Sequence, residues 1–132
     1  MSDVRIIRRE DLDAGTAQTP GMVRMAAVSA TTCDATGIWM GEVIMAPGFK
    51  SGAHHHGDVE SAIYIASGAL RFRWGARLER TGDGKQGDFI FVPAGMIHQE
   101  INASSSEPLV TIVARGGLEN IVANVDLPEA QS

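Results

Sequence analysis

The segment Gly48-Phe49-Lys50-Ser51-Gly52-Ala53-His54-His55-His56-Gly57-Asp58-Val59-Glu60 decides how this chain is read. A second segment answers it: Gly87-Asp88-Phe89-Ile90-Phe91-Val92-Pro93-Ala94-Gly95-Met96-Ile97-His98-Gln99-Glu100-Ile101-Asn102. Together they hold all four histidines of a chain of 132 residues. Three imidazoles and one carboxylate make a ligand set suited to a divalent transition metal.

The spacing carries physical meaning. His54 and His56 lie two apart, so on an extended strand they share a face while His55 points to the other. Glu60 has the same parity, but on a continuous strand it would stand roughly 13 Å from His56, too far to share an ion. Gly57-Asp58 is turn chemistry, and a reversal there brings Glu60 back towards the imidazoles. Pro93-Ala94-Gly95 likewise ends one strand and lets His98 open the next. The expected ligands His54, His56, Glu60 and His98 then come from two neighbouring hairpin regions of one antiparallel sheet.

These two segments resemble the motifs of the cupin superfamily. The second motif, G-x5-P-x-G-x2-H-x3-N, is matched at every position from Gly87 to Asn102. The first, G-x5-H-x-H-x(3,4)-E-x6-G, is matched from Gly48 through Glu60, with one extra residue before Gly68. The resemblance implies an all-β fold, a double-stranded β-helix or jelly-roll barrel, with a metal held inside by His54, His56, Glu60 and His98. The runs Gly52-Ala53-His54-His55-His56-Gly57, Ala62-Ile63-Tyr64-Ile65 and Arg73-Trp74-Gly75 are similar to those of the small bacterial RmlC-like cupins.

Composition fits this reading. The length allows one domain, residues 1–132, with a conserved barrel core at about 37–115 and an N-terminal arm at about 1–25. A net charge of −5 without a basic tract argues against a nucleic-acid partner. No apolar run reaches the length of a membrane span, and the N-terminus lacks a signal-peptide core. The lone cysteine, Cys33, excludes an internal disulfide and fits a reducing cytoplasm.

Turn residues recur at short intervals: Thr19-Pro20-Gly21, Pro47-Gly48, Gly57-Asp58, Ser67-Gly68, Gly82-Asp83-Gly84, Pro93-Ala94-Gly95, Ser104-Ser105-Ser106 and Gly116-Gly117. The stretches between them predict strands over Ile38–Ala46, Ala62–Ala66, Ala69–Trp74, Asp88–Val92, Ile97–Ile101, Leu109–Ala114 and Ile121–Val125. Residues 3–13 suit a helical turn or an edge strand, and residues 128–132 are expected to fray.

Several side chains have a sharp reading and a plain one. Glu100 shares the parity of His98 and is the candidate for moving a proton beside the metal, or for pairing on the surface. Leu70-Arg71-Phe72-Arg73-Trp74 alternates, so Arg71 and Arg73 either clamp an anion or form a solvated strand face. Tyr64 aims its hydroxyl at a ligand or sits at the rim. Met40, Met45 and Met96 fill the core or pocket, with Met96 and Phe89 or Phe91 expected to line the site. Trp39 anchors the core, and His55 faces away from the metal.

Three imidazoles and a carboxylate leave a divalent ion near +1 with open positions if it is six-coordinate. Iron, manganese, zinc, nickel and copper all suit such donors. The expectation is a metal-dependent enzyme, of dioxygenase or isomerase type, acting on a small oxygen-rich metabolite. A non-catalytic binding module for such a metabolite is the alternative, and a metal-independent sugar epimerase a second one. Barrel edges and apolar outer faces further predict a homodimer, with the arm around Val4–Ile7 crossing to the partner.

Overall fold

Short β-rich stretches separated by turn residues have only two ways to bury one face each: pack sheet on sheet or close into a barrel. The computed structural model describes residues 3–16, 18–117 and 122–131 and shows two five-stranded antiparallel sheets facing one another. The strands are β1 (Met22–Val28), β2 (Trp39–Met45), β3 (His54–His55), β4 (Ser61–Ser67), β5 (Ala69–Trp74), β6 (Arg80–Lys85), β7 (Phe89–Val92), β8 (His98–Asn102), β9 (Leu109–Arg115) and β10 (Ala123–Asn124). One sheet runs β1-β2-β9-β4-β7 and the other β10-β3-β8-β5-β6. The crossings between sheets are those of a double-stranded β-helix. No helix among the described residues is long and apolar enough to cross a membrane.

The expected strands are present with ends shifted by a residue or two, and Ile121 of the last one lies outside the described residues. Residues 3–13 give one turn of 3₁₀ helix at Arg9–Asp11, then a bridge from Asp13 to Ala26. Two strands escape the sequence reading. β1 carries Arg24 amid small apolar residues, and it takes over residues 22–25 of the presumed arm. The predicted turn Gly82-Asp83-Gly84 is instead the middle of β6. A Cβ on Gly84 would stand 2.7 Å from Cδ1 of Ile65, so a bare backbone lets this edge strand close over the core. The actual reversal lies at Gly75–Glu79. A four-residue helix, α1 (Ala30–Cys33), also forms, and Ser29 caps it in a reciprocal pair with Thr32.

Strand parity sorts the barrel interior into an apolar end and a polar end. Met45 pairs with Leu109, and Leu70 with Asn102; Met45, Leu109, Leu70 and Ile65 are fully buried. At the other end the register aligns Trp39, Arg115, Ser61 and Val92 in one row across four strands, all buried. The apolar end supplies the hydrophobic stabilisation, roughly 1.5–3 kcal/mol per fully buried large side chain. The polar end holds the histidines.

Candidate metal centre

β3 and β8 are adjacent, and their register sets His54 directly opposite His98. The turn after β3 returns His56 to the same point. Gly57 takes a positive φ of 64° there, and its carbonyl accepts the amide of Gly95 at 2.7 Å. One hydrogen bond thus ties together the two turns that the sequence segments share. The ring centroids of His54, His56 and His98 lie 4.3–5.1 Å apart, and one ligand nitrogen from each falls within 4.8 Å of the others. His54 and His98 are buried.

Two of these rings are fixed in tautomer. Nδ1 of His54 lies 2.9 Å from the carbonyl oxygen of Gly52, and Nδ1 of His98 lies 2.9 Å from that of Met96. A carbonyl only accepts, so each Nδ1 carries the proton and each Nε2 presents a bare lone pair. Phe72 stacks on His98 at 5.1 Å and 11°, holding the ring plane. Burial pushes the His98 imidazole below its ordinary pKa; Glu100 opposes this and His54 adds to it. Neutral imidazoles with oriented lone pairs are the form that binds a first-row divalent ion. The donor set therefore fits a metal, with His54, His56 and His98 as its holders.

Glu60 departs from expectation. Its side chain is exposed and stands outside the group of three imidazoles. The cause is a slip of one residue: counting the motif's seven positions back from Gly68 reaches Ser61. Ser61 is the first residue of β4, and strand parity turns it inward with Ile63 and Ile65 and turns Glu60 out. The Ser61 hydroxyl is buried in the cavity wall without a hydrogen-bond partner among the described residues. An ion held by the three neutral imidazoles alone keeps a charge of +2 rather than +1.

The cavity is small, with about 20 Å³ of free space between its lining side chains. Glu100 lines it, as parity with His98 requires. Its apolar walls are Met22, Val43, Ile63, Val92 and Val113 rather than Phe89 or Phe91. Those two phenylalanines sit on the outer face of edge strand β7, 78% and 62% exposed, and Phe89 packs on Tyr64 at 4.7 Å. Met96 lines an adjoining apolar groove with Phe72, Trp74 and these two phenylalanines. Arg71 and Arg73 point away from the interior. Arg71 pairs with Asp83 at 2.9 Å, and Arg73 donates to Gln99 and to the carbonyl of Glu129. His55 also faces outward and accepts the Gly57 amide.

Two arginines in the cavity wall went unread in the sequence. Arg115 is buried with its guanidinium 4.6 Å from the Trp39 ring centre. Burial lowers its pKa to about 10; Glu100 counters this and Arg24 adds to it. Arg24 is lowered too, again mainly by burial. The signal was present as parity, since Leu109, Thr111, Val113 and Arg115 alternate along β9 as Met22, Arg24 and Ala26 do along β1. Nothing in the sequence marked that parity as inward.

Comparison with known proteins accords with this geometry. The polyketide cyclase RemF from Streptomyces resistomycificus is 22% identical, with 98% of this chain covering 97% of it at a TM-score of 0.77. A conserved double-stranded β-helix protein from Klebsiella pneumoniae is 15% identical over 94% of this chain and 99% of its own, with a TM-score of 0.70. An oxalate oxidase is 20% identical with a TM-score of 0.69; 85% of this chain matches, spanning 59% of that longer chain. No curated protein matches the sequence. The family model for the cupin domain matches residues 41–115, more than half of the chain. Fold, register and motifs agree with it, and the chain belongs to the cupin family.

Proposed function

We propose that this cupin is a metal-dependent enzyme, an oxidoreductase of dioxygenase type or an isomerase, acting on a small oxygen-rich metabolite. One observation carries the reading. Two buried imidazoles, locked by carbonyl acceptors, bring bare Nε2 lone pairs together with a third ring. Converging acceptors in a desolvated cavity are unfavourable unless a cation sits among them. That favours a metal centre over a metal-independent epimerase. A bound divalent ion supplies Lewis acidity, polarising a substrate oxygen and lowering its pKa.

The chain's own residues do the rest. Phe72 and the two backbone carbonyls keep the imidazoles from turning. The valine and isoleucine walls exclude water, which strengthens electrostatic interactions inside. Glu100 accepts a proton from substrate in this reading, which its position in the cavity lining supports. An oxalate oxidase and a polyketide cyclase among the structural neighbours support an enzyme reading of this barrel.

Elemental analysis of protein purified anaerobically without added metal tests the reading. One divalent ion per chain is expected, lost in His56→Ala and retained in His55→Ala and Glu60→Ala. Substoichiometric metal in the parent protein after incubation with iron, manganese, zinc, nickel and copper in turn would refute it. Failure of every metal form to turn over diketone, phenol or sugar substrates would leave the binding module. The same reading includes a homodimer in the cytoplasm. The dimer is supported by the apolar outer face of Val23, Met40, Tyr64, Phe89 and Phe91 and by exposed Val4 and Ile6 in the arm. Light scattering that reports a monomer across micromolar concentrations disposes of the dimer.

A further inference from the structure

His54 and His98 line the cavity from β3 and β8 of one sheet, and Arg24 and Arg115 line it from β1 and β9 of the other. We propose that Arg24 and Arg115 form a carboxylate-binding subsite facing the imidazole cluster, so that the substrate is a small carboxylic acid bearing a further oxygen. This rests on the metal-dependent reading for that second oxygen, but not for the carboxylate.

Charge decides the sign of the ligand. By formal charge, counting histidine as neutral, the described residues lining this cavity comprise two cations, Arg24 and Arg115, and one anion, Glu100. The local balance is +1 before any ion binds and +3 with a divalent one. The chain as a whole carries −5. An acidic protein that concentrates positive charge inside an apolar barrel favours a small anion there and disfavours a neutral metabolite of the same shape.

Geometry narrows the choice. Trp39 takes the flat face of the Arg115 guanidinium at 4.6 Å, which leaves the in-plane N–H edge as the part that donates hydrogen bonds. A planar fork matches a planar carboxylate, two parallel N–H···O bonds at a time. Arg115 and Ser61 are register partners across β9 and β4, and both line the cavity. The buried Ser61 hydroxyl supplies a neutral donor to the same space. Burial lowers the pKa of both arginines, yet Arg115 at about 10 still holds its proton at neutral pH. The subsite is thus charged when substrate arrives. The cavity's free space is about 20 Å³, which restricts the ligand to the smallest carboxylates.

The test is isothermal titration of the full metal-loaded chain with glycolate, and with ethylene glycol as its neutral counterpart. Glycolate is expected to bind and ethylene glycol to give no heat. Arg24→Gln and Arg115→Gln should each weaken glycolate at least tenfold while metal stoichiometry stays at the parent value. Circular dichroism checks that each variant folds, and Arg24→Gln stands in if the more buried Arg115 variant does not. Variants that bind glycolate within twofold of the parent overturn the proposal, as does equal binding of the two probes. Inorganic phosphate displacing glycolate at equal concentration overturns the choice of carboxylate. If the parent chain holds no metal, the functional reading fails by itself. Acetate is then titrated into the metal-free protein: binding that depends on both arginines supports the subsite, and its absence overturns it.

Discussion

Asn102 closes the second motif, and its role can be measured without knowing the substrate. Its side chain is buried at the apolar end of β8, four residues from His98. The amide nitrogen donates to the carbonyls of Glu107 at 2.9 Å, Ala46 at 3.1 Å and Met45 at 3.3 Å, while its oxygen accepts the Ser104 amide at 3.0 Å. The nitrogen has two hydrogens for three carbonyls, so the longest bond, to Met45, is a shared one. Three effective bonds at about 1 kcal/mol each put the cost of Asn102→Ala at roughly 3 kcal/mol. For a domain of this size that lowers the melting temperature by about 10 °C. Urea unfolding followed by tryptophan fluorescence gives the free energy directly. Asn102→Asp keeps the acceptor for Ser104 but sets a carboxylate against three carbonyls. It should cost at least as much at neutral pH and recover as the solution is acidified and the new carboxyl protonates. A loss below about 1 kcal/mol for Asn102→Ala would refute the claim that this side chain ties the two loops to β8.

Two further outcomes bear on the fold. Leu70 is fully buried where the two sheets meet, so Leu70→Ala should cost about 2–5 kcal/mol by denaturant unfolding. Arg9 makes a two-pronged contact with the mostly buried Glu42 at 2.8 and 2.9 Å, and that hydrogen-bonded guanidinium holds the Glu42 carboxyl below its ordinary pKa. A depressed carboxyl stabilises the fold above its unfolded pKa and loses that contribution as pH falls through the folded one. Arg9→Ala should therefore move the acid-unfolding midpoint to higher pH, and the two proteins should converge in stability at the acid end; a gap that persists undiminished there would count against the pairing.

Legibility followed the length scale of each signal. The histidine spacing and the turn residues Gly57-Asp58 and Pro93-Ala94-Gly95 act over a few residues, and they placed His54, His56 and His98 together. Glu60 failed for the same locality. Its assignment needed the turn length between β3 and β4 to within one residue, and a slip of one reverses the face of every side chain that follows. Gly82-Asp83-Gly84 has the local chemistry of a turn, but closure over Ile65 outweighs that preference. Arg24 and Arg115 are set by which face of β1 and β9 looks inward. Only pairing between strands distant in sequence determines that.

The arrangement that results has a consequence for how positive groups are held in an apolar barrel. Phe72, from one sheet, stacks on His98, and Trp39, from the other, lies against Arg115. Aromatic faces fix orientation and give partial electrostatic compensation without adding a countercharge. A carboxylate in either place would neutralise the cavity and compete with an incoming anion. Ser61, where the motif spacing asks for glutamate, works in the same direction: it withholds one negative charge from the surroundings of the imidazole cluster. With Glu100 as the one carboxylate among the described lining residues, the cavity keeps a positive formal balance that favours an anion. Ser61→Glu should then raise affinity for the divalent ion and weaken glycolate together. A variant that gained metal affinity with glycolate binding unchanged would show that charge in this cavity does not select the ligand.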